Sequence, residues 1–384
     1  MPTNERLAVA VIRRNFRVDG GAEKSVTPYL RAFIELGFRV HLICESWTGS
    51  IPDQCSIVKI QTYGPRVLKT WLFVRGALQI LKREQFEFVQ SHEWVPGCNV
   101  LRLGDGLHSY WHARLMNSRG ILKRMLTKIS LFHAYRRFLE RQSLKSQHLG
   151  AVIVNSEFVG HQVRETYPEL ASLKIIVHRN VVPAEFYQSA NDLDEKWFGE
   201  SRFNSIFEEA QLKLLFVGSG WARKGLETLL QSAAHIKDRS WALVVIGDDK
   251  HRSRYLKLCS SLGIDEKVFF AGVRQVSKDL YEKFDTLVLP TAYDPFPNVI
   301  AESLVSGTRV ITTSHCGGRD FADDESVFTA DNQAELIDLF RRNLFDKKLS
   351  AGLIVKYRKV FSRETLRASI LEMINDSGLT HRIE

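Results

Sequence analysis

The stretch "YDPFPNVIAES", residues 293–303, decides how the chain is read. Asp294, Pro295 and Pro297 interrupt an apolar run. After them Val299, Ile300, Leu304 and Val305 recur at helical spacing, with Glu302 riding among them. Proline at 297 suits the first position of a helix, where a missing N–H is no loss. The segment therefore predicts a loop that turns into a helix. Upstream, "DTLVLP" (285–290) reads as a buried strand, and downstream "TRVITT" (308–313) reads as the next one. Strand, loop, helix and strand in that order make a unit of parallel α/β structure.

The same alternation extends outward. "LKLLFVG" (212–218), "WALVVIG" (241–247) and "KVFFAG" (267–272) complete a C-terminal series. An N-terminal series comprises 6–13, 38–44, 56–61, 86–90, 150–156 and 174–180, with helices expected over 22–36, 66–83 and 118–145. Residues 184–210 are polar and lack a strand, which suggests a domain boundary there. We expect an N-terminal Rossmann-like domain over 1–190 and a second over 191–362. A C-terminal helix over 363–384 is expected to pack back on the first domain. The fold class is α/β, two Rossmann-like domains with parallel sheets facing across a cleft, and ligands at the carboxyl ends of the strands.

Composition limits the function classes. At 384 residues, with 44% hydrophobic and 25% charged, the chain is ordinary globular protein, too long for one typical core. No apolar run is long enough to span a bilayer, and the start lacks the apolar stretch of a secretion signal. The five cysteines have neither zinc nor redox spacing and read as packed thiols in a reducing cytosol. Charge is uneven: residues 1–190 hold 26 Lys+Arg against 15 Asp+Glu, a net of +11, and the remainder holds 27 against 29, a net of −2, summing to +9. The excess points to an anionic partner on the N-terminal half.

Two strand-to-helix connections are rich in glycine. "GSGWARKG" (218–225) has Arg223 where a dinucleotide fingerprint needs glycine, and it lacks the Gly-Lys-Ser/Thr of a phosphate loop. Its adjacent cations, Arg223 and Lys224, suit a diphosphate near a helix mouth, although two solvated charges would read the same way. "VDGGAE" (18–23) brings Gly20 and Gly21 to a place where backbone amides can approach a ligand, or simply make a tight turn. In the opening stretch, Asp294 on the loop, the amides of Asn298 and Val299 at the helix mouth and Glu302 on the helix form a set that grips hydroxyls. The plainer alternative is a capping acid and a surface glutamate.

Taken together, "DPFPNVIAESL", "SGTRVIT", "GGAEKSV", "VIVNSEF", "FVGSGWARKGLETLL" and "FAGVRQVSKDLYEKFDTLVLPT" resemble the family 4 retaining glycosyltransferases, which have the GT-B fold. Within that family the likeness is to bacterial lipopolysaccharide core enzymes, with residues 96–115 similar to their acceptor region. The resemblance implies that Gly218, Arg223 and Lys224 bind the donor diphosphate and that Glu302 binds the ribose. Asp294 and the backbone of Phe296, Pro297, Asn298 and Val299 would hold the transferred sugar. Val273 and Arg274 would lie by the base, and Gly20 and Gly21 by the diphosphate and acceptor. Asp105 would sit near the reacting carbon, with His92 and His108 as neighbours. The implied co-substrate is a nucleoside-diphosphate sugar, UDP-sugar favoured, with no metal or other cofactor. Asp294 stands where Glu is common and Pro297 where Gly is usual, which leaves the sugar open.

The implied enzyme is cytoplasmic and peripherally bound to the anionic surface of the inner membrane, and it acts on a lipid-linked or lipopolysaccharide-type glycan. Residues 118–148 carry eight basic side chains and one acid, Glu140, over an apolar stripe, as such a surface would require. Competing readings are another GT-B sugar-nucleotide enzyme, such as an epimerase, and a basic nucleic-acid-binding protein. Trp111, Phe132 and Tyr135 stand among the cations but at core-like helical spacing, which argues against nucleic acid.

Overall fold

The computed structural model describes residues 7–16, 26–49, 51–117, 130–187, 202–342 and 348–376. The chain divides into two compact units, residues 1–181 with 363–384 (unit 1) and residues 182–362 (unit 2). Each is built on a parallel sheet. In unit 1 the strand order is Cys55–Lys59, Arg39–Cys44, Ala8–Ile12, Phe88–Ser91, Val100–Leu103, Ala151–Val154, Lys174–Val177. In unit 2 it is Val268–Gly272, Trp241–Ile246, Leu212–Val217, Thr286–Val288, Arg309–Thr312, Val327–Thr329. The central strands, AVAVI and WALVVI, are buried at every residue, as expected of a parallel sheet covered on both faces.

This strand order creates the two places where ligands can bind. Ala8–Ile12 pairs with Arg39–Cys44 on one side and Phe88–Ser91 on the other. Leu212–Val217 likewise pairs with Trp241–Ile246 and Thr286–Val288. Chain order reverses at each of these first strands, so the loops leaving their carboxyl ends diverge and open a crevice.

The division between units falls at 181/182, earlier than the expected 190/191. The reason lies in Val182 and Phe186. The Val182 amide donates to the Phe361 carbonyl at 3.0 Å, and both side chains belong to the unit 2 core, with Phe186 against Tyr281. Within 184–210, Arg202–Glu209 is a helix that buries Phe203 and Phe207, and residues 188–201 lie outside the described set.

The last helix, Arg363–Asp376, belongs to unit 1. Leu366, Ile370, Met373 and Ile374 form an apolar stripe that joins Tyr29, Leu30 and Phe33 in the unit 1 core.

Periodicity does not reveal two strands of the main sheets. Val100–Leu103 is broken in sequence by Arg102, which is buried and donates to Asn180 Oδ1 at 2.8 Å. Val327–Thr329 is three residues long, too short for an alternation to register.

One glycine is fixed by a close approach. Gly225, at φ +81°, separates the one-turn helix Trp221–Lys224 from the helix Leu226–Ala233. A Cβ there would lie 2.0 Å from the Pro290 carbonyl oxygen. Gly225→Ala should therefore destabilise unit 2 by at least about 2 kcal/mol, through left-handed strain and a backbone clash. Chemical denaturation would measure this, and an unchanged midpoint would contradict it.

Candidate functional site

Two loops leave the switch point of unit 2, and they are hydrogen-bonded to each other. The Ala292 amide and the Thr291 hydroxyl both donate to the Arg223 carbonyl, at 2.8 and 3.1 Å. Arg223 Nη1 in turn donates to the Tyr293 carbonyl at 3.1 Å and to Asp294 Oδ2 at 3.0 Å. Arg223 is 45% exposed and Asp294 is 13% exposed, so the pair sits at a mouth rather than in the core. Lys224 lies folded over Gly218, where a Cβ would meet its side chain at 2.8 Å. Burial draws the Lys224 ammonium below its ordinary value, and the carboxylate of Asp294 opposes that shift.

Glu302 is a buried carboxylate on the helix Asn298–Val305, and Tyr281 donates to its Oε2 at 2.8 Å. Pro297 caps this helix from outside, at φ −68° and ψ 132°, instead of filling the expected first helical position. Its extended ψ is what turns the chain from the loop into the helix. The Phe296 side chain is buried against Phe321 and Phe361, so of the Phe296–Val299 stretch it offers a ligand backbone only. Val273, 77% exposed, and Arg274 follow the strand Val268–Gly272, and Arg274 Nε donates to the Ala271 carbonyl at 3.1 Å. The structure thus groups Gly218, Arg223, Lys224 and Asp294. Gly20 and Gly21 lie outside the described residues.

In unit 1, strand ends place His92 and Glu93 after Phe88–Ser91, and Asp105 and His108 after Val100–Leu103. A cavity of about 200 Å3 brings His92, Asp105 and His108 together with Glu93, Trp111 and Arg136. Asp105 is largely exposed and lies 3.4 Å from Arg13 Nη1. His92 is buried, with Nε2 2.9 Å from Gln90 Nε2, and burial holds its imidazole well below the usual range. His108 Nε2 is 3.1 Å from His133 Nδ1, the two rings stacked. Burial, then the charge of Arg136, lowers the His108 pKa to about 3. Both imidazoles are therefore neutral at neutral pH.

Glu140 is a positioning residue that sequence reading passes over. Counted as the lone acid of a basic run, it is fully buried. Glu140 Oε2 accepts from the amides of His108 at 2.5 Å and Ser109 at 3.2 Å, and Oε1 accepts from the Tyr167 hydroxyl at 2.7 Å. It thereby anchors the start of the helix His108–Asn117, where a negative charge is favoured. Tyr281, which orients Glu302, is equally invisible in sequence. Trp111 and Phe132, expected in a core, instead line cavities beside His108. The expected helix over 118–145 is described only as Leu131–Leu144; residues 118–129 lie outside the described set. All five cysteines are buried and free.

His178 is another depressed histidine, drawn from 6.5 to about 3 by burial and by Arg102. Because the folded values are low, the unfolded chain binds protons first as pH drops. The stabilisation is intact above about 6.5 and is lost as pH falls below it. For His178 alone the limit is about 1.4 kcal/mol per pH unit. Thermal unfolding should therefore shift downward between about pH 7 and pH 5, and a melting temperature constant over that range would contradict the assignment.

Comparison with known proteins bears on both units. The family model described as glycosyl transferases group 1 matches residues 198–360, and that described as glycosyltransferase family 4 matches 19–186. An uncharacterized glycosyltransferase of Methanocaldococcus jannaschii is 31% identical over 144 residues, 36% of this chain and 36% of that protein. The lipopolysaccharide glucosyltransferase WaaG of Escherichia coli is 24% identical over 86% of this chain and 87% of its own length. Among solved structures, WaaG, titled a glycosyltransferase involved in lipopolysaccharide biosynthesis, superposes with a TM-score of 0.70 at 20% identity, covering 93% of this chain and 95% of that one. Anabaena HepE in complex with UDP-glucose gives 0.63 at 14% identity, covering 97% and 100%. At such identities the superpositions establish the GT-B fold alone.

Proposed function

The chain belongs to the family 4 glycosyltransferases, and on that premise we propose that it moves a hexose from a nucleoside-diphosphate sugar, UDP-sugar favoured, to a hydroxyl of a lipopolysaccharide-core glycan. The carrying observation is the pairing of Arg223 with Asp294 beside the half-buried Lys224, at the switch point of unit 2. Similarity to WaaG and to a UDP-glucose-bound structure supports the substrate classes.

In the proposed reaction the bond between the anomeric carbon and the diphosphate breaks, and the electron pair leaves with the diphosphate. The acceptor oxygen bonds to the same carbon on the same face, and its proton passes to the departing diphosphate. Arg223 and Lys224 neutralise the charge that accumulates there, serving where a divalent ion otherwise would. Asp294 holds the Arg223 guanidinium in place and accepts from hydroxyls of the sugar. Glu302, fixed by Tyr281, accepts from the ribose hydroxyls. On the acceptor side, Asp105 and the neutral imidazoles of His92 and His108 line one cavity of unit 1.

Arg223→Ala and Lys224→Ala should each lower turnover by roughly a hundredfold or more, the scale for losing one charge-stabilising donor. Glu302→Ala should weaken UDP binding, whereas Asp294→Ala should spare it and impair transfer. Equal UDP affinity in the Glu302 and Asp294 variants, measured calorimetrically, would reverse the assignment of ends.

The same reading makes the protein a cytoplasmic enzyme held peripherally at an anionic leaflet. No helix among the described residues is long and apolar enough to cross a membrane. The helix Leu131–Leu144 exposes Leu131 and Phe138 beside Arg137 and Arg141, and the helix Arg66–Arg83 that packs against it exposes Trp71. Each cation near an anionic surface contributes about 1 kcal/mol. Sedimentation with vesicles should require anionic lipid and fade with salt; equal recovery on neutral vesicles would refute the membrane reading.

A further inference from the structure

Unit 1 holds a second, larger cavity, of about 640 Å3, that the roles assigned above leave unused. Its volume falls within the roughly 300–1,000 Å3 of small-molecule sites. Among the described residues, Arg14, Arg66 and Arg136 line it, against a single carboxylate, Glu93.

The three guanidinium groups are differently committed. Arg14 is held by Glu45 at 2.5 Å and by the Thr70 hydroxyl at 3.0 Å, so its charge is balanced. Arg136 lies 3.8 Å from Glu93, which Arg13 approaches at the same distance. One carboxylate is thus shared between two cations. Arg66 has no carboxylate partner among the described residues; its guanidinium lies over the Phe132 ring, 4.3 Å from the centroid. Stacking of that kind leaves the in-plane N–H donors available, and a guanidinium fork matches an oxyanion in two-point fashion.

The surroundings reinforce the surplus. Arg66 opens the helix Arg66–Arg83, which has no side-chain cap and no acid in its first turn, so its positive end adds to the field. Trp111, Phe132 and the stacked pair His108 and His133 complete the wall with low-dielectric groups that focus the potential. An anion seated there would oppose the cations that keep His108 neutral. The cavity shares Glu93, His108, Trp111 and Arg136 with the smaller one that contains Asp105, so the two adjoin.

We propose that the Arg66–Arg136 cavity binds a phosphomonoester carried by the acceptor glycan, holding a phosphorylated sugar next to the Asp105–His108 cavity. The proposal rests on the acceptor assignment of unit 1 and names its substrate class. The shared chemistry is an oxyanion, which a lipid headgroup also carries; the ring-lined walls and the adjoining Asp105–His108 cavity favour the sugar-borne source.

Calorimetry on the full chain with glucose 6-phosphate, glucose and UDP tests it. Glucose 6-phosphate should bind and glucose should not. Arg66→Gln and Arg136→Gln should each weaken glucose 6-phosphate binding at least tenfold, and Arg66→Lys should restore part of it. UDP affinity should be unchanged in all of them. Arg66 is exposed and makes no ion pair among the described residues, so Arg66→Gln remains informative if the Arg136 variant does not fold. Histidine NMR gives an independent reading, in which glucose 6-phosphate should raise the His108 pKa. Equal binding of glucose and glucose 6-phosphate, or full affinity in Arg66→Gln, would overturn the proposal. So would an Arg66-dependent attachment to phosphatidylglycerol vesicles in a chain that binds no sugar phosphate. Loss of UDP binding alone would count against the donor reading and leave this one standing.

Discussion

The contact between Arg223 and Asp294, 3.0 Å from Nη1 to Oδ2, ties together the two loops that leave the unit 2 switch point. Much of the local architecture serves to hold it. Gly225 lets the first loop pass against the Pro290 carbonyl, and backbone bonds from Ala292 to Arg223 and from Gly317 to Asp294 lock the second loop on both sides. Phe296 anchors the turn by burying its ring with Phe321 and Phe361. A half-exposed ion pair contributes little by itself. Here its geometry comes from the apolar core beneath it, so what the core supplies is orientation.

Unit 1 answers a different electrostatic problem. It carries the chain's basic excess and must place guanidinium groups close to one another without leaving them unpaired. Glu93, accepting from the Arg14 amide and lying near Arg13 and Arg136, meets part of that need, and Glu45 meets another part at Arg14. The histidines beside them stay neutral, because burial and nearby positive charge both disfavour a proton. Glu140 is spent on the helix start at His108–Ser109 and the Tyr167 hydroxyl rather than on the neighbouring arginines. The net result is a cavity with more positive than negative charge on its walls.

Alternating apolar strands, helix-spaced apolar stripes and glycines at strand ends were sufficient to read two parallel α/β units in this chain. Those signals are local, set by a period of two or 3.6 residues, and survive without any partner. The stretch from Asp294 to Glu302 and the Arg223–Lys224 pair were legible for the same reason, since loop chemistry and helix entry lie next to each other in sequence. Tertiary structure alone decided the rest. Tyr281 reaches Glu302 from 21 residues away, Arg102 finds Asn180 across 78, and Glu140 caps a helix 32 residues earlier. Val182 joins unit 2 because Phe361 accepts its amide, and the last helix joins unit 1 because its stripe fits against Tyr29, Leu30 and Phe33. Periodicity shows that a residue has a buried face, but a buried polar group is stable only where a partner meets it, and the folded chain determines which partner that is.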